Sequence, residues 1–142
     1  MTVRPPASAA EWDACHALCW DVLRRPWGQP RGSERDPPST PAHHLLAEVD
    51  GRLAGTGRIH RIDAHTWQVR YMAVDPELRG RGIGAAILAG LLDHARRHGG
   101  GRVFLNARDG TAGFYQAAGF AVTGEGPLLY SSIRHLRMER EL

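Results

Sequence analysis

The run of alternating arginine and glycine at residues 79–84, Arg-Gly-Arg-Gly-Ile-Gly, is the segment whose composition points most directly to ligand binding. Glycine lets a ligand approach the backbone closely, and the amides that start a helix form an anion site that the helix dipole strengthens. A strand pattern precedes the run and a helical pattern follows it, so the run lies at the kind of turn where such a site forms. A pyrophosphate group fits it.

The sequence excludes two common nucleotide-binding motifs. The dinucleotide fingerprint requires G-x-G-x-x-G, whereas these glycines fall at positions 80, 82 and 84. The P-loop requires a lysine, and all 18 basic residues of this chain are arginine. We therefore expect neither a nicotinamide cofactor nor ATP.

A second motif, F-Y-Q-A-A-G-F at residues 114–120, follows the segment L-N-A-R at residues 105–108. A random match to F-Y-x-x-x-G-F is expected only about once in several thousand chains of this composition. The two motifs, in this order and spacing, resemble the GNAT superfamily of acyl-CoA-dependent N-acetyltransferases over residues 46–122. The resemblance implies a mixed α/β fold, with a mostly antiparallel central sheet flanked by helices, and acetyl-CoA as the acyl donor.

The resemblance also implies roles for individual residues. The main chain of the cleft strand would bind the pantetheine arm and the acyl carbonyl, with the Val74 N–H as the oxyanion donor. Tyr115 corresponds to the general acid that protonates the departing thiolate, which suits a phenol whose reference pKa is about 10. The residues implied to bind the cosubstrate are Met72, Ala73, Val74, Arg79, Gly80, Arg81, Gly82, Ile83, Gly84, Arg108 and Tyr115.

The sequence departs from the family pattern at two places. Arg108 and Thr111 stand where many members have an asparagine and a small residue, and Arg108 is expected to contact the phosphates or pantetheine amides instead. The glutamate that some members carry on the cleft strand has no match, since Gln68, Arg70 and Met72 occupy that face.

The sequence therefore does not identify one residue as the general base. Glu48, His60 and His135 are candidates, acting directly or through water, and each has a competing interpretation as a surface or structural residue. The acceptor amine could also lose its proton to solvent. Arg58 and Arg70 favour an acceptor that carries a carboxylate or phosphate, although both could equally be exposed strand residues.

These observations favour an N-acetyltransferase that moves acetyl from acetyl-CoA directly to a small-molecule amine in a ternary complex. One alternative is a non-catalytic sensor that holds acyl-CoA without turnover. Another is nucleic-acid binding through the arginines, which their scattered positions disfavour. Cys15, Cys19 and His16 are too few to hold zinc, so we expect no metal and two buried structural thiols. A homodimer is compatible with the sequence.

Length and composition limit the size of the domain and the class of protein. The chain has 142 residues and a mass of 15.6 kDa, with 42% apolar and 23% charged residues, which suits one soluble domain over residues 1–142. The longest apolar stretch, residues 85–92, is far shorter than the ~18 residues of a membrane helix. The start of the sequence lacks the apolar core of a signal peptide, so we expect a cytoplasmic protein.

The elements that must position these residues follow from local patterns. Ser8 and Glu11 form a capping box that begins a helix over residues 9–25, before a proline-rich loop over 26–41. Asp50-Gly51 predicts a type I′ turn between strands 44–49 and 52–62. Further elements are a strand over 66–74, a helix from 83 to 99, a strand over 102–107, a short helix over 111–118, a strand starting at 120–122 and a last strand over 133–139. The predicted order is β-α-β-β-β-α-β-α-β-β.

Overall fold

The computed structural model describes residues 1–35 and 41–142; residues 36–40, part of the predicted loop 26–41, lie outside the described residues. The described elements follow one another in the predicted order. The strands are β1 (Thr2–Arg4), β2 (His43–Val49), β3 (Arg52–Arg61), β4 (Thr66–Val74), β5 (Arg102–Arg108), β6 (Ala121–Glu125) and β7 (His135–Glu141). The helices are α1 (Ala9–Leu23), α2 (Ile83–Arg97) and α3 (Ala112–Ala117), with 3₁₀ turns at Arg25–Trp27 and Pro76–Leu78.

The strands form one sheet in the order β1-β2-β3-β4-β5-β7-β6. Neighbouring strands are antiparallel except β4 and β5, which are parallel. The predicted mixed, mostly antiparallel α/β sheet flanked by helices is therefore confirmed.

Helices α1 and α2 cover opposite faces of this sheet. His43 of β2 stacks on His94 of α2, with ring centroids 3.7 Å apart. The next residue, His44, meets Trp12 of α1 edge to face at 4.6 Å. Successive side chains of a strand point to opposite faces, so the two helices lie on different sides.

Helix α1 begins as its capping residues predict and ends earlier than predicted. The Ser8 hydroxyl accepts a hydrogen bond from the Glu11 N–H at 3.2 Å. The helix ends at Leu23 rather than residue 25 because proline at 26 lacks an N–H and disfavours helical geometry in the residue before it. A 3₁₀ turn over Arg25–Trp27 follows, across the boundary between the predicted helix and the predicted loop.

The helix predicted from residue 83 onward forms the centre of the core. Its apolar stripe is buried against β2 and β3, and two glycines of β3 allow the close approach. A β-carbon at Gly55 would lie 2.9 Å from Ile87 Cδ1, and one at Gly57 would lie 3.0 Å from Ile87 Cγ2. Among the described residues, no helix is both long and apolar enough to cross a membrane.

One predicted turn is confirmed, and one predicted strand begins later than expected. Asp50 (φ 52°) and Gly51 (φ 75°) both have the positive φ of a type I′ turn, as predicted. The last strand begins at residue 135 rather than 133. Ile133 is instead bridged to Leu129, which closes residues 129–133 into a tight turn before β7 starts.

Candidate active site

A cleft opens where β4 and β5 part. The two strands are paired at only three positions, the last joining Gln68 to Phe104. Beyond this pair β5 continues along β7 while β4 continues along β3. The gap leads into a cavity of about 1080 Å³ lined by both strands, by the start of α2, by α3 and by the end of α1.

Strand β4 carries a bulge inside this cleft. Between the pairs Thr56/Ala73 and Arg58/Arg70, β4 has one residue more than β3. Tyr71 occupies the bulge with φ 56°, in the left-handed region. Its carbonyl oxygen accepts the thiol hydrogen of Cys19 on α1, with sulfur and oxygen 3.7 Å apart.

The prediction that Gln68, Arg70 and Met72 share one face of β4 is wrong, because the bulge lies between Arg70 and the end of the strand. An extra residue reverses the alternation of side chains beyond it. Met72 consequently packs on the α2 side, where its Sδ would lie 2.5 Å from a β-carbon at Gly57.

The end of β4 directs a main-chain donor into the cleft. The Asp75 N–H donates to the carbonyl oxygen of Ala54 in β3 at 2.8 Å. Successive amides of a strand point to opposite sides. The Val74 N–H therefore points away from β3, toward the side from which β5 has parted.

The start of α2 forms one wall of the cavity. Gly82 is the N-cap in a left-handed conformation, no side chain caps the first amides, and the first turn has no acidic residue. A β-carbon at Gly82 would meet nothing within 4 Å, so the space before these amides is open. This arrangement suits an anion such as a pyrophosphate.

Tyr115 stands between two aromatic rings next to this wall. Phe114 and Phe120 meet it edge to face, with centroids 4.9 and 6.1 Å away. Burial raises the pKa of Tyr115 to about 12, with a small opposing effect from Arg108. The phenol is therefore protonated near neutral pH and can donate a proton but not accept one.

His135 lies on the cavity wall and has a defined tautomer. Its Nδ1 is 3.0 Å from the Pro127 carbonyl oxygen and 3.1 Å from that of Ile133. Carbonyl oxygens only accept, so Nδ1 carries the hydrogen and Nε2 is the proton acceptor of the neutral ring.

The other two base candidates lie away from the cavity. His60 is buried on the α1 face of β3, where burial, then Arg58 and Arg70, lower its pKa to about 4. Glu48 forms an ion pair with Arg4 of β1. Neither lines the cavity.

Most of the residues implied to bind the cosubstrate do line it. Ala73 is instead buried in the core, and Arg81 is exposed outside the lining. The lining members are Met72, Val74, Arg79, Gly80, Gly82, Ile83, Gly84, Arg108 and Tyr115.

Arg24, Trp27 and Tyr71 line the cavity without having been predicted to do so. Nothing in the local sequence distinguishes Arg24 and Trp27, because only the tertiary fold brings the end of α1 to the cleft. Tyr71 lies on β4 itself, where the bulge determines its position.

The two cysteines are buried as predicted. Cys15 is 3% and Cys19 is 6% exposed, and both are free thiols. Burial raises the pKa of both, that of Cys19 to about 12. Such thiols are protonated and unreactive at neutral pH.

In this fold, a helix start without a side-chain cap, a main-chain N–H and a buried phenol surround one cleft. The model of the acetyltransferase (GNAT) family matches residues 12–120. The chain belongs to this family, whose members use acetyl-CoA, and the resemblance found in the sequence is confirmed.

Individual relatives agree with this assignment. The chain is 36% identical over 105 residues to the N-alpha-acetyltransferase RimI of Mycobacterium tuberculosis (strain H37Rv). That match covers 70% of this chain and 64% of the relative, so the chain aligns with somewhat less than two thirds of it.

Solved structures share the fold at lower identity. An aminoglycoside 6′-N-acetyltransferase complexed with coenzyme A superposes with a TM-score of 0.82 at 14% identity, covering 99% of this chain and 97% of that one. A GNAT family acetyltransferase from Elizabethkingia anophelis with acetyl-CoA bound gives a TM-score of 0.73 at 17% identity, with the same coverage.

Proposed function

We propose that this protein transfers the acetyl group of acetyl-CoA to the amine of a small molecule while both substrates are bound. The observation that carries the proposal is that three groups open on one cavity: the start of α2, the end of β4 and Tyr115. They supply an anion site, an oxyanion donor and a proton donor, which are the groups that acyl transfer from a thioester needs.

The start of α2 would hold the pyrophosphate of acetyl-CoA. Its amides are uncapped by side chains, and Arg79 on the same wall adds a charged donor. The Val74 N–H would donate to the thioester carbonyl oxygen and stabilise the negative charge that develops there.

Two side chains would carry the proton transfers. The amine nitrogen forms a bond to the acetyl carbon as the carbon–sulfur bond breaks. His135 Nε2 accepts the proton that the amine loses, directly or through water, and the Tyr115 hydroxyl gives its proton to the departing sulfur. Exchange with solvent then restores both residues, and the products are an acetylated amine and the CoA thiol.

A second candidate acceptor is the N-terminal amine of a polypeptide. It is favoured by the 36% identity to a protein that is named an N-alpha-acetyltransferase. A peptide amine would use the same donor site and the same proton transfers.

We further propose that the protein acts in the cytoplasm. Its two cysteines are free thiols in the structure, as a reducing compartment favours.

The experiment is a thiol-release assay with acetyl-CoA and a panel of small amines and short peptides, with products identified by mass spectrometry. Acetylation of small amines in preference to peptides is the expected result. Acetylation of peptides alone would favour the second candidate. Binding of acetyl-CoA without thiol release from any amine would favour the sensor interpretation.

A further inference from the structure

Two arginine side chains meet at the end of α1. Arg24 Nη1 lies 3.3 Å and Arg108 Nη2 lies 3.4 Å from the same atom, the carbonyl oxygen of Leu23. Arg24 is only 8% exposed and Arg108 is half-buried, so water screens their mutual repulsion weakly. Burial and then Arg24 lower the pKa of Arg108, which agrees with a strained pair of like charges.

No carboxylate within residues 1–35 and 41–142 forms an ion pair with either of these arginines. Arg24 Nε also donates a hydrogen bond to the carbonyl oxygen of Ser33 at 3.1 Å. The C-terminus of a helix supplies about half an elementary negative charge, far less than the two positive charges that meet there. Positive charge is therefore in excess at this wall of the cavity.

Aromatic rings hold the guanidinium groups in place. The Arg108 guanidinium carbon is 4.6 Å from the centroid of Trp27, and that of Arg24 is 5.4 Å from the centroid of Tyr71. Stacking of this kind fixes the plane of a guanidinium and so reduces the entropy lost when it binds a planar anion.

All the described charged side chains that line the cavity are positive. Its charged side chains among the described residues are Arg24, Arg70, Arg79 and Arg108, and it includes neither aspartate nor glutamate. Arg79 belongs to the α2 wall, where the pyrophosphate of acetyl-CoA is proposed to bind. Arg24 and Arg108 contact α1 and the turn after it, on the opposite face of the sheet.

We infer that the acceptor amine carries a carboxylate or phosphate group, which Arg24 and Arg108 bind. The inference rests on the proposed function and specifies its substrate class: a small molecule, such as an amino acid or a phosphorylated amine. A carboxylate or phosphate can take parallel hydrogen bonds from a guanidinium, and it would neutralise the excess charge. Arg108 thereby acts on the acceptor rather than on the phosphates of acetyl-CoA.

The test compares matched amines that differ in one anionic group. L-amino acids are paired with their primary amides, and O-phosphoethanolamine is paired with ethanolamine, each assayed by thiol release from acetyl-CoA. The anionic member of at least one kind of pair should have a kcat/KM at least about tenfold higher. The two kinds of pair distinguish a carboxylate from a phosphate.

Three variants locate the effect. Arg108→Ala and Arg24→Ala should raise the KM of the anionic amine by about 10- to 100-fold, and the KM of the matched neutral amine by much less. Arg108→Lys keeps the positive charge, so it should recover part of the affinity for the anionic amine that Arg108→Ala loses. If Arg24→Ala does not fold, the comparison of the two Arg108 variants still tests the inference. Arg96→Ala, on an exposed part of α2 outside the cavity, is the matched control.

The possible failures can be told apart. Equal or better turnover of the neutral amines, or unchanged kinetics in the arginine variants, would overturn the inference and leave acetyl transfer intact. Acetyl-CoA binding without acetylation of any anionic amine would also overturn it. A protein that does not bind acetyl-CoA would instead contradict the proposed function itself.

Discussion

Gly82 and Gly99 stand at the two ends of α2 in nearly the same backbone conformation. Their φ angles are 77° and 81°, and a β-carbon at either position would meet nothing within 4 Å. Only Gly82 lines the cavity, directly before the amides proposed to bind the pyrophosphate. The pair therefore separates the cost of a side chain in this conformation from its effect on the ligand.

Replacing each of these glycines by asparagine tests whether a side chain at Gly82 blocks the ligand or only strains the backbone. Asparagine tolerates the left-handed conformation, so Gly82→Asn and Gly99→Asn should each cost about 1 kcal/mol of unfolding free energy or less. Only Gly82→Asn should weaken acetyl-CoA binding, by at least about tenfold, because its side chain occupies the anion site. Urea unfolding and calorimetric titration measure the two effects. Equal affinity in both variants would show that the turn is structural only.

Tyr115→Phe should separate catalysis from binding. The ring keeps its edge-to-face contacts with Phe114 and Phe120, so folding and acetyl-CoA affinity should be retained. Loss of the proton donor should lower kcat by about 10²–10⁴. Steady-state thiol release, with binding measured in parallel, is the assay. A variant with normal turnover would remove Tyr115 from the mechanism and leave the Val74 N–H as the main catalytic group.

His135→Gln should impair turnover by removing the proton acceptor on the cavity wall. The expected fall in kcat is about 10²-fold or more at neutral pH. It should shrink as the pH rises, since more of the acceptor amine is then already neutral. His65→Gln, at an exposed position outside the cavity, is the control. A fall that does not change with pH would indicate a positioning role for His135.

The stack of His43, His94 and His98 should make the fold sensitive to acid. Burial, then His43 and His98, lower the pKa of His94 to about 4, from an ordinary value of 6.5. The unfolded chain binds that proton more readily, so this contribution to stability is complete above about pH 6.5 and is lost as the pH falls toward 4.

His94→Asn should therefore flatten the decline in urea midpoint between about pH 7 and pH 5. His44 and His60, whose pKa values burial also lowers to about 4, keep part of the decline. The exposed His65→Gln variant should retain the wild-type slope. An unchanged slope in His94→Asn would mean that the stack does not cause the acid sensitivity.

Features that depend on neighbours in sequence could be predicted. The Ser8 cap, the Asp50-Gly51 turn and the apolar stripe of α2 each follow from residues a few positions apart, and the structure confirms all three. The glycine-rich turn before α2 is of the same kind, because its position at a helix start is a local property.

Features that depend on distant parts of the chain could not be predicted from the sequence. The left-handed Tyr71 has no local signal, since its conformation follows from the register of β4 against β3. For the same reason the sequence misplaced Met72 on the strand. The meeting of Arg24 with Arg108 joins residues far apart in sequence, and only the fold of α1 against the end of β5 produces it.

Calorimetric titration of the intact protein with acetyl-CoA tests the central claim most directly, because every proposed step requires this cosubstrate in the cleft. We predict saturable binding at one site per chain, and acetyl-CoA at 100 times its dissociation constant should stabilise the protein by about 2.7 kcal/mol. An absence of binding at millimolar acetyl-CoA would contradict the account.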